Sequence, residues 1–211
     1  MAVEIAEGKA VTIHFDTQLF IHSRQCVLGL PRVFKANTPG AWIFPDETGA
    51  EALTAVAHVC PSGAITYDRH DGGPGESAPE VNVAIVRENG PIALRAPLSI
   101  GGQVVGFRAT LCRCGASANK PFCDGSHTAA GFTASGEPAT LPSEPLPVRN
   151  GPLAVEPQPD GPLTVTGNLE ITSGTGRTIS RVTQTSLCRC GASQNKPYCD
   201  GSHRKIGFRS G

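Results

Sequence analysis

The chain has 211 residues, room for one large domain or two to three small ones around a real apolar core. Eighteen basic and eighteen acidic side chains cancel, so no global field draws the protein onto nucleic acid or an anionic membrane. Aromatics supply 5% of the residues while 25 glycines and 18 prolines punctuate the chain, which describes a compact, turn-rich, β-leaning protein.

The first sixteen residues lack the charged start and apolar stretch of a secretory signal, and no run reaches the roughly 18 apolar residues a membrane helix needs. The expectation is a cytoplasmic protein, in which closely spaced cysteines read as thiolate ligands rather than disulfides. Val11, Ile13 and Phe15 alternate as a strand does, with His14 on the opposite face as a solvated histidine. The string FIHSRQCVLGLPRVF predicts a short helix that ends near Gly29 and Pro31. Residues 46–57 (DETGAEALTAVA) predict a second helix opened by acidic side chains that suit its N-terminal dipole. His58-Val-Cys-Pro-Ser-Gly-Ala-Ile65 follows. Residues 69–80 hold three glycines and two prolines without apolar periodicity and mark a domain boundary. The expected domains are 1–72, 73–138 and 139–211.

Beyond the boundary the sequence turns β-like, with alternation over 81–86 and a hairpin turn signal at Asn89-Gly90. From Gly90 the chain repeats itself. Gly90-Pro-Ile-Ala-Leu-Arg-Ala-Pro-Leu-Ser-Ile100 matches Gly161-Pro-Leu-Thr-Val-Thr-Gly-Asn-Leu-Glu-Ile171 in glycine, proline and apolar positions, and Gly131-Phe132 matches Gly207-Phe208. The second copy carries extra residues around 173–178, a longer hairpin loop. The proline-rich segment 133–151 between the copies is long enough to let one fold back on the other. A β-rich unit of about fifty residues buries too little surface to stand alone, so the two copies are expected to pair as an intramolecular pseudo-dimer within a monomer.

Each copy contains Cys-x-Cys-x8-Cys-x3-His: Cys112, Cys114, Cys123 and His127 in the first, Cys188, Cys190, Cys199 and His203 in the second. Count and spacing suit metal coordination. The Cys-x-Cys pair supplies two thiolates from one turn, and Gly115 or Gly191 lets the backbone bend around the site. Asp124 or Asp200 is placed to cap a short helix ended by Gly131 or Gly207, with its cysteine and histidine on one face and its N-terminal amides directed at the site. Ser117, Ser193, Ser126 and Ser202 offer hydroxyls either to cluster sulfurs or to the turn itself. Cys3His is also a structural zinc set, and such zinc modules can bind RNA; Arg113, Lys120, Arg189 and Lys196 lie beside the sites, although neutral charge and the lack of an aromatic-basic surface oppose nucleic acid. No phosphate loop, nucleophile constellation or open metal triad points to an enzyme.

Two resemblances follow from these residues. The pattern Cys-x-Cys-x2-Ser-x3-Pro-x-Cys-Asp-Gly-Ser-His, met at every position in both copies, resembles the CDGSH iron-sulfur domain family, the NEET proteins, over roughly residues 80–208. The resemblance implies two 2Fe-2S clusters, each held by the three cysteines and one histidine of a copy, and two short metal-binding helices in a β-rich tandem unit. It also implies a redox protein partner or an apo-acceptor of clusters. Residues 10–68, with Phe20-Ile-His-Ser-Arg-Gln-Cys26 and Cys60-Pro-Ser-Gly-Ala-Ile65, are similar to divergent single-cluster ferredoxin domains. Phe20 stands where that family places a cysteine, so only Cys26 and Cys60 remain, too few for a 4Fe-4S cluster. The expected fold is therefore α+β, a small ferredoxin-like domain without its cluster followed by the tandem unit. Cys26 and Cys60 are expected near each other as a buried, inert thiol pair rather than a reversible disulfide. His22, His58 and His70 have no ligand-spaced partner and read as structural or surface residues.

Overall fold

A computed structural model describes residues 3–210, which form two compact units, one ending at Ser77 and the other starting at Ala78. In the first unit the alternation at 11–15 produces β2 (Val11–Asp16), paired antiparallel with β1 (Val3–Ala6) on one side and β3 (Ile65–Arg69) on the other. Its inward side chains Val11, Ile13 and Phe15 are buried against α1 (Gln25–Gly29) and α2 (Ala50–Val59) through Cys26, Leu53, Ala57 and Cys60. His14 lies on the other face and meets Asp68 Oδ2 at 2.8 Å.

The second helix starts four residues later than its acidic residues suggest. Pro45–Glu47 forms a separate 3-10 turn, and Gly49, extended at φ −73°, is the residue from which α2 departs. Asp46 is used elsewhere: its Oδ1 accepts the Lys9 amide at 2.8 Å.

The second unit is built from β4 (Val83–Val86), β5 (Ile92–Ile100), β6 (Gln103–Leu111) and α3 (Ser126–Ala129), repeated as β7 (Leu153–Pro157), β8 (Leu163–Thr172), β9 (Thr178–Leu187) and α4 (Ser202–Lys205). The β5–β6 hairpin turns on Gly101 and Gly102, both at positive φ, whereas β8 and β9 are joined by a longer loop, 173–177, within the stretch expected around 173–178. The repeats cross. Each short strand pairs antiparallel with the long strand of its own repeat, β4 with β5 and β7 with β8. It also pairs parallel with the long strand of the other, β4 with β8 and β7 with β5. One apolar core draws on both halves, with Leu94, Leu98 and Leu111 from the first and Leu153, Leu169 and Leu187 from the second all nearly inaccessible. The repeats thus form an internal pseudo-dimer in an α+β, β-rich fold. The proline-rich segment between them carries no regular element and is tied down by Leu141 N–H to the Ile179 carbonyl and by Asn82 N–H to the Arg149 carbonyl, both at 2.8 Å.

Candidate metal centres

Strand β6 ends at Leu111, and the eleven residues that follow return to it. The Cys112 amide donates to the Pro121 carbonyl and the Cys123 amide to the Thr110 carbonyl, each at 2.9 Å, with an isolated bridge between Leu111 and Phe122. This return is why an eight-residue gap still brings the third cysteine beside the first two. The second copy repeats it, with Cys188 on Pro197 at 2.8 Å, Cys199 on Ser186 at 2.9 Å and a bridge from Leu187 to Tyr198. Both loops contain a cis peptide, Lys120–Pro121 and Lys196–Pro197.

The donors gather as two pairs in each copy. Cys112 Sγ and Cys114 Sγ are 3.7 Å apart, and Cys123 Sγ and His127 Nδ1 are 3.4 Å apart. The matching separations are 3.8 Å for Cys188 and Cys190 and 3.4 Å for Cys199 and His203. Among the described residues no three or more Cys, His, Asp or Glu converge on a single ion. Backbone amides already serve the sulfurs: Ala116 N–H donates to Cys114 Sγ and Gly125 N–H to Cys123 Sγ, both at 3.4 Å. The Cys112 thiolate is favoured because the Cys114 thiol donates to it, and the same bond drives the Cys114 thiol upward. Burial pushes Cys123 up to about 11 and raises Cys190 as well. Burial also depresses His127.

The helix carrying each histidine is shorter than its capping signal suggests and leaves the cysteine outside. Helix α3 begins at Ser126 behind Gly125, whose φ of +87° suits glycine, and Cys123 reaches His127 from the preceding turn rather than from one helical face. Asp124 fastens two segments at once, Oδ1 accepting from Ser126 N–H at 3.0 Å and Oδ2 from Ala118 N–H at 2.8 Å. Asp200 does the same for Ser202 at 2.9 Å and Gln194 at 2.8 Å. Burial raises Asp124, but the Ser126 hydroxyl and these amides together outweigh it and hold the carboxyl low. Ser117 and Ser193 are turn residues: each hydroxyl donates across the loop, to the Phe122 carbonyl at 2.7 Å and the Tyr198 carbonyl at 2.6 Å.

Arg113 and Arg189, which sequence reasoning weighed as nucleic-acid contacts, are buried at 1% and 3% exposure. The Arg113 guanidinium donates to four carbonyls, Arg87 at 2.5 Å, Gly90 at 2.8 Å, and Ala134 and Ser135 at 3.1 Å each, and lies 5.3 Å from the Phe132 ring centroid. Arg189 donates to Gln158 at 2.5 Å and Gly161 at 3.1 Å and lies 5.6 Å from Phe208. Each cation feels the other repeat's first cysteine, Arg113 that of Cys188 and Arg189 that of Cys112. The sites are back to back. A Cβ on Gly115 would lie 2.7 Å from the Cys190 carbonyl oxygen, and one on Gly191 2.5 Å from that of Cys114. The one hint in the sequence was the same arginine at the same position of both Cys-x-Cys pairs.

Comparison with known proteins matches this architecture. Residues 84–128 and 160–204 both match the family described as iron-binding zinc finger, CDGSH type. The chain carries two CDGSH iron-binding domains in tandem. In this tandem CDGSH protein residues 6–70 match a second family, divergent 4Fe-4S mono-cluster. The chain is also similar to the uncharacterized protein YjdI of Escherichia coli, in strain K12 and in O157:H7, at 36% identity over 63 residues, 30% of this chain and 80% of that protein. No solved structure matches. The donors of the CDGSH protein fit an iron-sulfur cluster, with three thiols, an imidazole and amides on the sulfurs. The N-terminal donors do not fit a 4Fe-4S cluster. Its two thiols, Cys26 and Cys60, are not joined in a disulfide, are buried and are close enough for Cys60 to act on Cys26, and the Phe20 ring packs against the same core. No helix among the described residues is long and apolar enough to cross a membrane.

Proposed function

We propose that each CDGSH repeat holds one 2Fe-2S cluster and that the protein serves electron transfer, redox sensing or the passing of clusters to an apo-acceptor. The observation that carries this reading is the division of each donor set into two pairs. Each iron of a two-iron cluster takes two protein ligands, as in centres where two histidines replace two cysteines on one iron. A structural zinc ion instead needs four donors around one point. Such a cluster, when bound, takes up and returns one electron.

The rest is the work of this chain's residues. Cys112 with Cys114 and Cys123 with His127 are the proposed ligand pairs of the first site, Cys188 with Cys190 and Cys199 with His203 those of the second. The amides of Ala116 and Gly125 stabilise sulfur charge by donating to it. The buried arginines supply positive charge without a titrating proton. A neutral imidazole in place of a thiolate lowers the negative charge of the site, which favours the reduced state. His127 presents Nδ1 to Cys123, and Nε2 lies toward the Gly90 turn. Imidazole competes with protons near neutrality whereas bound thiolates resist them, so the histidines make the sites acid-labile. The burial of Arg113 and Arg189 removes two of the four cations that an RNA-binding zinc module would have used.

Visible absorption with iron and sulfide analysis of the purified chain tests the reading. Two irons and two sulfides per repeat in a coloured protein are expected, and a colourless, zinc-loaded chain would overturn it.

A further inference from the structure

We infer that the N-terminal unit carries a binding pocket for a small aromatic anion, a one- or two-ring acid, between α1 and the loop that precedes Trp42. The cavity measures about 500 Å³, within the range of small-molecule sites. Its walls are aromatic: the Phe15 and Trp42 rings meet edge-on at 4.9 Å, Phe15 and Phe20 at 5.1 Å, and His22 lies 4.2 Å from Phe20. Such walls accept either a planar ring or an alkylammonium ion, and the charges decide between them. Arg24 and Lys35 line the cavity, the Lys35 ammonium 4.1 Å from the centroid of the neighbouring Phe44 ring, and no aspartate or glutamate does, so the lining disfavours a cationic guest. Glu4, the nearby carboxylate on β1, is occupied by the Trp42 indole N–H at 3.3 Å. At the floor, burial raises the Cys26 thiol and keeps that surface neutral.

Backbone conformation supplies the independent observation. Among the described residues five non-glycine positions have positive φ, and three of them line this cavity: His22 at 53°, Arg24 at 62° and Asn37 at 59°. For an arginine that conformation costs free energy, and strain of this kind gathers at ligand clamps. Arg24 is also the residue from which α1 departs, its carbonyl accepting the Leu28 N–H at 3.0 Å, whereas His22 and Asn37 lie outside every helix and strand. The aromatic walls, the cations and the strained rim all belong to the first unit.

Trp42 is the only tryptophan in the chain, so its emission reports the pocket directly. The full chain is titrated with 8-anilinonaphthalene-1-sulfonate, energy transfer from Trp42 is read, and the dye is displaced with 1-naphthoate or with its neutral counterpart 1-naphthamide. The expected result is one saturable site from which naphthoate displaces dye about tenfold better than naphthamide, a gap of about 1.4 kcal/mol. Lys35→Gln and Arg24→Asn, the latter a residue that tolerates the left-handed backbone, should each weaken dye binding about fivefold with unchanged circular dichroism. Equal displacement by acid and amide on the unaltered chain would overturn the assignment, as would absence of saturable transfer. The acid-amide comparison needs no variant and so stands even if a substitution impairs folding.

Discussion

Replacing Arg113 by methionine tests whether the first CDGSH loop is held by its buried cation, and the same change at Arg189 supplies the internal reference. Both guanidinium groups are nearly inaccessible and both lie on a phenyl ring, at 5.3 and 5.6 Å, so the cost of burying the charge and the loss of ring contact largely cancel between the variants. What differs is the number of carbonyls served, four for Arg113 against two for Arg189, the additional ones being Ala134 and Ser135. A hydrogen bond from a charged donor contributes about 1.5–3 kcal/mol at full strength. At 3.1 Å the two additional bonds fall at the low end, so Arg113→Met should destabilise the second unit by about 2–3 kcal/mol more than Arg189→Met. Native-state hydrogen exchange of β5 and β8 amides in the full chain measures this without assuming that both units unfold together. A difference under about 1 kcal/mol, or a larger loss from Arg189→Met, would refute the reasoning.

Gly115→Ala and Gly191→Ala each force a side chain into positive φ and against a carbonyl oxygen of the opposite loop; a loss on the order of 3 kcal/mol or more is expected, read from the same exchange, and a fully stable Gly115→Ala would contradict the back-to-back packing. Asp124→Ala removes the acceptor of two amides and should cost about 1–2 kcal/mol, checked by urea titration of the far-ultraviolet signal. Burial depresses His127 in the folded chain, so below the unfolded value of about 6.5 the unfolded state binds more protons. The apo-protein should therefore lose stability as pH falls from about 6.5 toward the lower folded value. His127→Gln should flatten that slope, and an unchanged profile would exclude His127 as its source. In the iron-loaded protein His127→Cys and His203→Cys should lower the reduction potential and slow acid bleaching, followed by voltammetry and visible absorbance; no change in either would remove the histidines from their proposed role.

The candidate ligands were legible because identity and spacing alone specify a donor set, and duplication made chance untenable. The crossing of the repeats was anticipated only as pairing. That β4 lies parallel to β8 depends on which register buries Ala84 and Ile171 together, and short strands carry no record of their partners. Strands β1 and β3 escaped for the same reason, at four and five residues each. Arg113 illustrates a deeper limit. A charged residue beside a metal motif reads as exposed, and its true partners are main-chain carbonyls up to 26 residues away, which leave no mark in side-chain chemistry. Asp46 misled in the opposite sense, since an acidic residue ahead of an apolar run resembles a helix start until Thr48 and Gly49 extend the chain and the Lys9 amide claims the carboxylate.

The reciprocal strand exchange also governs how the two halves are free to change. In an assembly of two identical copies every substitution arrives at both sites, so neither site can specialise without the other. Here both halves lie in one chain and remain mutually obligatory through β4–β8 and β7–β5, yet each position is inherited separately. The helices already differ: after its histidine α3 continues with Thr128 and Ala129, α4 with Arg204 and Lys205. One site carries two cations beside its histidine that the other lacks while both share one core, a difference that a symmetric pair has no means to reach.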